Sequence, residues 1–391
     1  MAILSVNVGS SSLKFGLYPR AGTGILPATL VGSVEGLQPG GQPQLCWRNE
    51  QAGSEGPLTG QGLDTALAAL DQLLQQHLQG RPLQAIAHRV VHGGRHYRQP
   101  VRVNAAVLQT LDTLSPLAPL HQPHNLAGIR HFQQLYPHTP QVACFDTAFH
   151  ATLPETEYLF ALPASFNEEG VRRYGFHGLS YAYVQKALQH VSPRAQGRVL
   201  MAHLGNGASL CATRAGQSIA TTMGFSALDG LMMVTRSGSL DAGVLLHLLA
   251  HGWDAQRIET LLYKQSGLKG VSGLSADMRT LRASTDPAAQ RAIALFTHRV
   301  VREAGALTAC LGGLDVLAFT GGIGEHDRAL RAEVCERLAY LGVKLDTAAN
   351  AREGGDQIAA LHAADSAVEV WLVPTDEGRM AAQGAATLLH L

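Results

Sequence analysis

Apolar side chains recur at every second position near the start of the chain, with Leu13, Phe15 and Leu17 on one face after an apolar run over residues 2–8. The pattern predicts a hairpin of two strands joined by the polar turn Gly9-Ser10-Ser11-Ser12. Residues 20–60, rich in Gly, Pro and Gln, predict further short strands and turns. The period then changes. Leu63, Leu67, Leu70, Leu74 and Leu78 recur three and four apart and predict an amphipathic helix. Beyond it one buried strand ends at Val90-Val91, and another, Val142-Ala143-Cys144-Phe145, runs directly into Asp146.

From residue 151 onward, buried strands at 199–204, 316–320 and 368–373 alternate with helical stretches such as 286–311 and 328–342. In the last of these Leu330, Val334, Leu338 and Leu341 make the buried stripe. Strands alternating with helices predict an α/β architecture. The strand-loop-strand opening and a second Gly-rich set after residue 199 point to two related halves facing a cleft, with the boundary near 147–155.

Composition narrows this picture. The 391 residues, at roughly 150 per domain, suggest two or three domains. Only 15% of residues are charged and 46% are hydrophobic, against about 25% charged in a typical soluble protein, so a well-packed globular chain is expected. Thirty basic and thirty acidic side chains cancel, with no basic tail, which removes the electrostatic footprint of a nucleic-acid binder. The opening lacks the charged start and long apolar core of a signal peptide. No run approaches the roughly 18 apolar residues that span a membrane. The five cysteines (Cys46, Cys144, Cys211, Cys310, Cys335) form no Cys-x-x-Cys pair and read as reduced thiols in a cytoplasmic protein. Glycine stands out, with 42 residues where a usage of about 7% gives roughly 27.

Three Gly- or Ser-rich turns sit at strand ends. Asn7-Val8-Gly9-Ser10-Ser11-Ser12-Leu13-Lys14 offers amides, hydroxyls and a lysine, the donors that phosphate oxygens need; an ordinary Ser-rich hairpin is the other reading. His203-Leu204-Gly205-Asn206-Gly207-Ala208-Ser209 and Thr320-Gly321-Gly322-Ile323-Gly324-Glu325 repeat the logic, the last before a helix expected near Arg328. Together they point to a nucleotide. A cationic set also lies at Gly-flanked loops: Arg89 in His88-Arg89-Val90-Val91-His92-Gly93-Gly94, His121, His177 in Tyr174-Gly175-Phe176-His177-Gly178, and Arg236 in Thr235-Arg236-Ser237-Gly238. Arginine forks suit carboxylate and phosphoryl groups, although each residue alone also fits a structural role. Asp146 and Glu377, each following a buried run, read either as helix caps or as the one or two carboxylates that nucleotide-bound Mg²⁺ takes.

Taken together these segments resemble the acetate kinase family, of the acetate and sugar kinase, heat-shock 70 and actin superfamily. The likeness runs in order from Asn7 to Glu377, through Asn-x-Gly-Ser-Ser-Ser-Leu-Lys, His-Arg-Val-Val-His-Gly-Gly, Asp-Thr-Ala-Phe-His, Arg-Tyr-Gly-Phe-His-Gly and Gly-Ile-Gly-Glu. It implies two duplicated ribonuclease H-like domains with mixed sheets flanked by helices and an active site in the interdomain cleft. The first domain is expected over 1–148, completed by 378–391, and the second over 149–377. It also implies reversible transfer of the ATP γ-phosphate to acetate, giving acetyl phosphate and ADP, a need for Mg²⁺ with Mn²⁺ as a substitute, and a homodimer through the C-terminal domain.

Carried over by position, Asn7, Asp146 and Glu377 support the metal and phosphates. Arg89 and Arg236 hold the substrate carboxylate and the transferred group, His177 bonds the phosphoryl oxygens, and His121 assists. Ser12, Lys14, His203, Leu204, Gly205, Asn206 and Gly207 serve the phosphates. Asp277, Met278 and Arg279 lie by the adenosine, with Gly321, Gly322, Ile323, Gly324 and Glu325 closing that side. Val91, Leu120 and Phe176 match the wall for the substrate methyl. There are departures: Ala227 stands where the family usually has proline, Asp376 where it has asparagine, His326 where asparagine is common and Met278 where an aromatic often stacks. The rival readings are a propionate or butyrate kinase, a sugar kinase needing a carboxylate base, and an actin-like ATPase without an acyl acceptor.

Overall fold

The computed structural model describes residues 2–22, 24–119, 121–352 and 354–391. It divides into two units, Met1–Phe149 with Asp376–Leu391, and His150–Thr375.

In the first unit β1 (Ala2–Val8) and β2 (Ser12–Ala21) form the hairpin, paired from Ala2↔Pro19 to Val8↔Leu13. The Gly9 N–H donates to the Ser12 carbonyl at 2.8 Å and closes the turn. β3 (Gly24–Ile25) pairs with β2, and β4 (Leu30–Glu35), β5 (Gln44–Asn49) and β6 (Gly53–Pro57) extend the sheet antiparallel from β2. On the other side of β1, β7 (Leu83–Val90) lies parallel, and β8 (Val101–Arg102) edges the sheet beyond β9 (Gln141–Phe145).

Both faces of the hairpin are covered, which the alternating pattern understated. Leu13, Phe15 and Leu17 meet the helix Gly62–Leu78, whose Leu67, Leu70 and Leu74 are buried in the same core as Ile86 and Phe132. Truncating a buried leucine such as Leu70 to alanine costs about 2–5 kcal/mol. On the opposite face Tyr18 is also buried, and its hydroxyl donates to Asp376 Oδ1 at 2.7 Å. Asp376 caps the helix Glu377–Leu388 through the Arg379 N–H at 2.9 Å, and the buried Ala381, Ala382, Ala385 and Ala386 let that helix lie close. The division therefore falls before Asp376, so Asp376 and Glu377 sit with the first unit, two residues earlier than the sequence suggested.

The second unit repeats the strand order. β10 (Arg198–Leu204) and β11 (Ala208–Arg214) form a hairpin, β12 (Gln217–Thr221) follows antiparallel on β11, and β13 (Val316–Thr320) lies parallel on the far side of β10. β14 (Ala359–Ala360) edges the sheet beyond the parallel β15 (Glu369–Leu372). Two mixed sheets flanked by helices, with the same core order of hairpin, third strand and two parallel strands, make the duplicated ribonuclease H-like architecture. The long helix Pro287–Leu311 starts from the Asp286 cap, with proline in its first turn, and stops at Gly312, whose φ of 70° ends the helix. The 328–342 stretch is split: the helix Arg328–Arg337 gives way to a 3₁₀ turn, Ala339–Leu341, leaving Leu341 only half-buried.

Cys144, Cys211 and Cys335 are buried, and burial pushes each thiol up to about 12; Cys46 and Cys310 are exposed. Among the described residues no helix is long and apolar enough to cross a membrane.

Candidate active site

In the first unit, the parallel register of β7 and β9 sets Arg89 beside Cys144, two residues before Asp146. Arg89 donates from Nε to Asp146 Oδ1 at 3.0 Å and from Nη2 to Oδ2 at 2.5 Å, a two-pronged ion pair. Its Nη1 donates to Asn7 Oδ1 at 3.2 Å, and Glu377 Oε2 lies 3.5 Å from Nε. Burial pushes the Asp146 carboxyl up to about 6; Arg89 pulls it down, and the Glu377 charge adds to the rise. Burial opposes the Arg89 charge as well, but the two carboxylates outweigh it and hold the guanidinium protonated. Asn7 and Lys14 are register partners, so both side chains leave the sheet on the same face. Lys14 is exposed and Ser12 half-buried. The Asp376 carboxylate, where the family has asparagine, accepts from Tyr18 and from the Arg379 N–H as a helix cap.

Two amides missing from the sequence reading fix this group. Asn125 accepts from the Val91 N–H at 3.0 Å and donates to the Val8 carbonyl at 2.6 Å, tying the ends of β1 and β7 together. Gln122 exchanges hydrogen bonds with the backbone of His92 at 3.3 and 3.0 Å. Both are buried and lie three apart in the first turn of the helix Gln122–Leu135, a spacing that was the available signal. His121 stands at that helix's cap position and Val91 is buried. Leu120 lies outside the described residues.

In the second unit a separate group gathers around Gly207. His177 adopts the left-handed conformation, φ 59°, which is rare for a residue with a side chain, at the start of the helix Gly178–Val191. Its ring stacks on His203 with centroids 4.2 Å apart, and its Nδ1 bonds Ser209 Oγ at 2.8 Å. His203 Nδ1 in turn bonds Ser180 Oγ at 2.8 Å. A Cβ on Gly207 would lie 3.1 Å from His177 Nε2 and 3.7 Å from Arg236 Nη1, so this bare backbone is adjacent to both side chains. Arg236 Nη1 donates to the Ala227 carbonyl at 3.0 Å. Phe176 is buried, and its carbonyl bonds His150 Nε2 at 2.9 Å. Burial lowers the His150 pKa to about 4, so that ring is a neutral prop under the 174–178 loop. Asn206 is exposed at the loop tip and Leu204 is fully buried behind it.

The third glycine run abuts the second. Gly321 has φ 77°, and a Cβ there would meet the Leu204 backbone at 2.8 Å. The run is already helical over Gly321–His326, earlier than the expected start near Arg328, because Gly321 makes the sharp turn out of β13. Glu325 Oε1 accepts from the N–H groups of Gly321 at 2.8 Å and Thr375 at 3.1 Å, fastening the chain after β13 to the chain after β15. The fully buried Arg331 donates to the carbonyls of Gly324 and Glu325 at 3.0 and 2.6 Å. Gly322 is exposed and Ile323 half-buried. Asp277 caps the helix Met278–Ala283 and pairs with the exposed Arg279 at 2.7 Å. Met278 is buried, 4% exposed. Arg282, on the same helix, reaches Asp327 at 3.1 Å and Glu333 at 2.7 Å.

Asp146, Glu377 and Asn7 form an all-oxygen donor set with two carboxylates against one guanidinium. That chemistry fits a largely hydrated Mg²⁺. Among the described residues no group of three or more His, Cys, Asp or Glu is placed to hold a metal.

The model of the acetokinase family matches residues 2–383. An acetate kinase from Rhodopseudomonas palustris is 49% identical over 389 residues, covering 97% of this chain and 96% of that protein. Among solved structures, a propionate kinase from Francisella tularensis superposes with a TM-score of 0.89 at 34% identity, covering 98% of each chain. An acetate kinase from Porphyromonas gingivalis gives a TM-score of 0.88 at 35% identity, covering 99% of each. A match over nearly the whole length, on two sheets of the same strand order, places the chain in the acetokinase family.

Proposed function

We propose that this protein is an acetate kinase that transfers the γ-phosphate of ATP to acetate, giving acetyl phosphate and ADP, reversibly and by direct in-line displacement. The observation that carries the reading is the Gly207 backbone beside His177 Nε2 and Arg236 Nη1, donors suited to a phosphoryl group. An acetate oxygen forms the new bond to phosphorus while the bond to the ADP oxygen breaks, and the electron pair leaves on ADP. Acetate is already ionised near neutral pH, so no general base is needed, in keeping with a residue set rich in cations.

In this reading Arg89 and Arg236 hold the acyl carboxylate and the flattening phosphoryl group, His177 bonds its oxygens, and His121 assists. Ser12, Lys14 and the loops 203–207 and 321–325 serve the nucleotide phosphates, with Asp277 and Arg279 toward the adenosine. Val91, Phe176 and Ala227 are assigned to the acyl methyl. Asn7, Asp146 and Glu377 would hold Mg²⁺, which neutralises phosphate charge when bound with the nucleotide. Asp146 and Glu377 also pair with Arg89, so each carries a second role beside the one toward the metal.

The proposal extends to a cytoplasmic homodimer formed through the second unit. The helix Ala242–Ala250 is almost wholly apolar yet has no buried residue, with Leu246 68% and Leu249 51% exposed. A contiguous surface of that kind marks an association site. The functional reading is tested by trapping acyl phosphate with hydroxylamine from ATP and a panel of carboxylic acids and sugars. Hydroxamate from acetate supports it; ATP consumption with sugars alone, or hydrolysis without hydroxamate, rejects it.

A further inference from the structure

Between β12 and the helix that starts at Ala242, among the described residues, the chain has no helix or strand, yet it carries both Ala227 and Arg236. Their mutual contact, the hydrogen bond from Arg236 Nη1 to the Ala227 carbonyl, depends on what holds this long loop. Side chains that cross it provide the fastening. At its entry Arg173 Nη1 reaches the carbonyls of Thr221, Thr222 and Met223 at 3.3, 3.1 and 3.1 Å, and Asp229 Oδ2 at 3.4 Å. At its exit Asp229 Oδ1 accepts from Ser239 Oγ at 2.7 Å, and Ser239 Oγ accepts from the Gly230 N–H at 3.0 Å. The Ser239 N–H returns to the Gly230 carbonyl at 2.9 Å.

One carboxylate therefore joins the start of the loop to the residues that follow Arg236, with Ala227 two positions before it. The fit around it is close: a Cβ on Gly224 would fall 2.4 Å from Asp229 Oδ2, so only glycine leaves room for this crossing. Arg173 has other anchors besides, including the Glu157 carbonyl at 3.2 Å. We propose that Asp229 is a positioning residue, which through Arg173 and Ser239 sets the direction of the Arg236 guanidinium and the room left at Ala227. It touches no reacting atom. Its effect falls on turnover and on the choice between acyl chains. This rests on the acetate kinase reading, in which Arg236 and Ala227 face the substrate.

The test compares steady-state kinetics with acetate and propionate for the wild type, Asp229→Ala, Asp229→Asn and Ser239→Ala, each normalised to folded protein by its melting transition. A displacement of about 1 Å costs up to roughly 10²-fold, so Asp229→Ala is expected to lose about 10- to 100-fold in kcat. Its propionate-to-acetate ratio of kcat/KM should rise by about threefold or more, because the loop no longer fixes the width at Ala227. Asp229→Asn, whose amide can present oxygen to Arg173 and nitrogen to Ser239, should recover much of both. A purely structural role lowers the folded fraction and leaves the ratio unchanged. A folded Asp229→Ala with kcat and ratio within about twofold of wild type overturns the proposal. Should that variant not fold, Ser239→Ala decides by the same two readouts. A wild type that forms no acetyl phosphate removes the functional reading itself, an outcome separable from an active wild type with indifferent variants.

Discussion

The two units share a strand order but fasten the residues at their strand ends by different means. In the first, a buried ion pair ties the end of β7 to the residue after β9, and Asn7 and Glu377 complete the cluster. In the second, close backbone approach sets the glycine loops, where Gly207 and Gly321 leave room and His177 is held in a strained conformation, while Arg236 rests on a carbonyl of a loop that Arg173, Asp229 and Ser239 fasten. The side chains of the first group are paired with one another before any substrate arrives, so removing one member disturbs fold and chemistry together. In the second, geometry and chemistry are more nearly separable.

The sharpest way to break this comparison is to remove each arginine. Arg89→Ala and Arg236→Ala are both expected to lower kcat by about 10²-fold or more. Their stabilities should differ. Arg89→Ala strands a buried carboxylate, a loss of about 3–5 kcal/mol, whereas losing the Arg236 bond to a neutral carbonyl costs about 1 kcal/mol. Urea unfolding of both variants checks this, and equal losses would remove the distinction.

Substituting the glycines sharpens the account of the second unit. A Cβ on Gly207 meets His177 Nε2 at 3.1 Å, a contact a small shift relieves. Gly207→Ala should therefore fold normally and lose about tenfold in kcat, through displaced donors. Gly321→Ala places a side chain at φ 77° against the Leu204 backbone and should instead lose about 1–3 kcal/mol of stability.

The pH dependence of stability should have opposite signs for one buried group in each unit. Asp146, with its folded pKa raised to about 6, binds its proton more tightly when folded, so its contribution is fully present below the unfolded pKa and is lost as pH rises toward 7. The stability of wild type relative to Asp146→Asn should accordingly fall between pH 4 and 7. For His150, lowered to about 4 by burial, the unfolded chain takes up protons that the folded one refuses. Wild type relative to His150→Gln should gain stability as pH rises from about 4 to 6.5. Chemical unfolding across that range reads both, and parallel slopes would contradict the assigned environments.

The smallest effect concerns the acyl chain. Alanine at position 227 leads us to expect measurable turnover of propionate, since one methylene is worth only about 1–3 kcal/mol of discrimination. A kcat/KM more than about a thousandfold below that for acetate would contradict the role given to Ala227.

How much was legible in the sequence depended on the range of the interaction. Strands and helices read well from local period, as with the Leu63 to Leu78 repeat that became Gly62–Leu78. The glycine-rich turns at 205–207 and 321–324 were visible because backbone freedom leaves a compositional trace. The pairing of Arg89 with Asp146 joins residues 57 apart and has no local signature. Asn125 and Gln122 were not singled out in the sequence, and are buried ties at the strand ends. Asp376 and Met278, noted in the sequence as departures from the family pattern, are a helix cap and a buried position, roles that local sequence does not announce. The second face of the hairpin was hidden because its cover comes from residues 377–388, at the far end of the chain.

The central claim is transfer of a phosphoryl group to a carboxylate. Phosphorus NMR of the purified protein with Mg²⁺, ATP and acetate tests it most directly. The account predicts acetyl phosphate and ADP appearing in equal amounts, with inorganic phosphate arising only from later hydrolysis. ADP and inorganic phosphate formed together from the first time point, with no acyl phosphate signal, would contradict it.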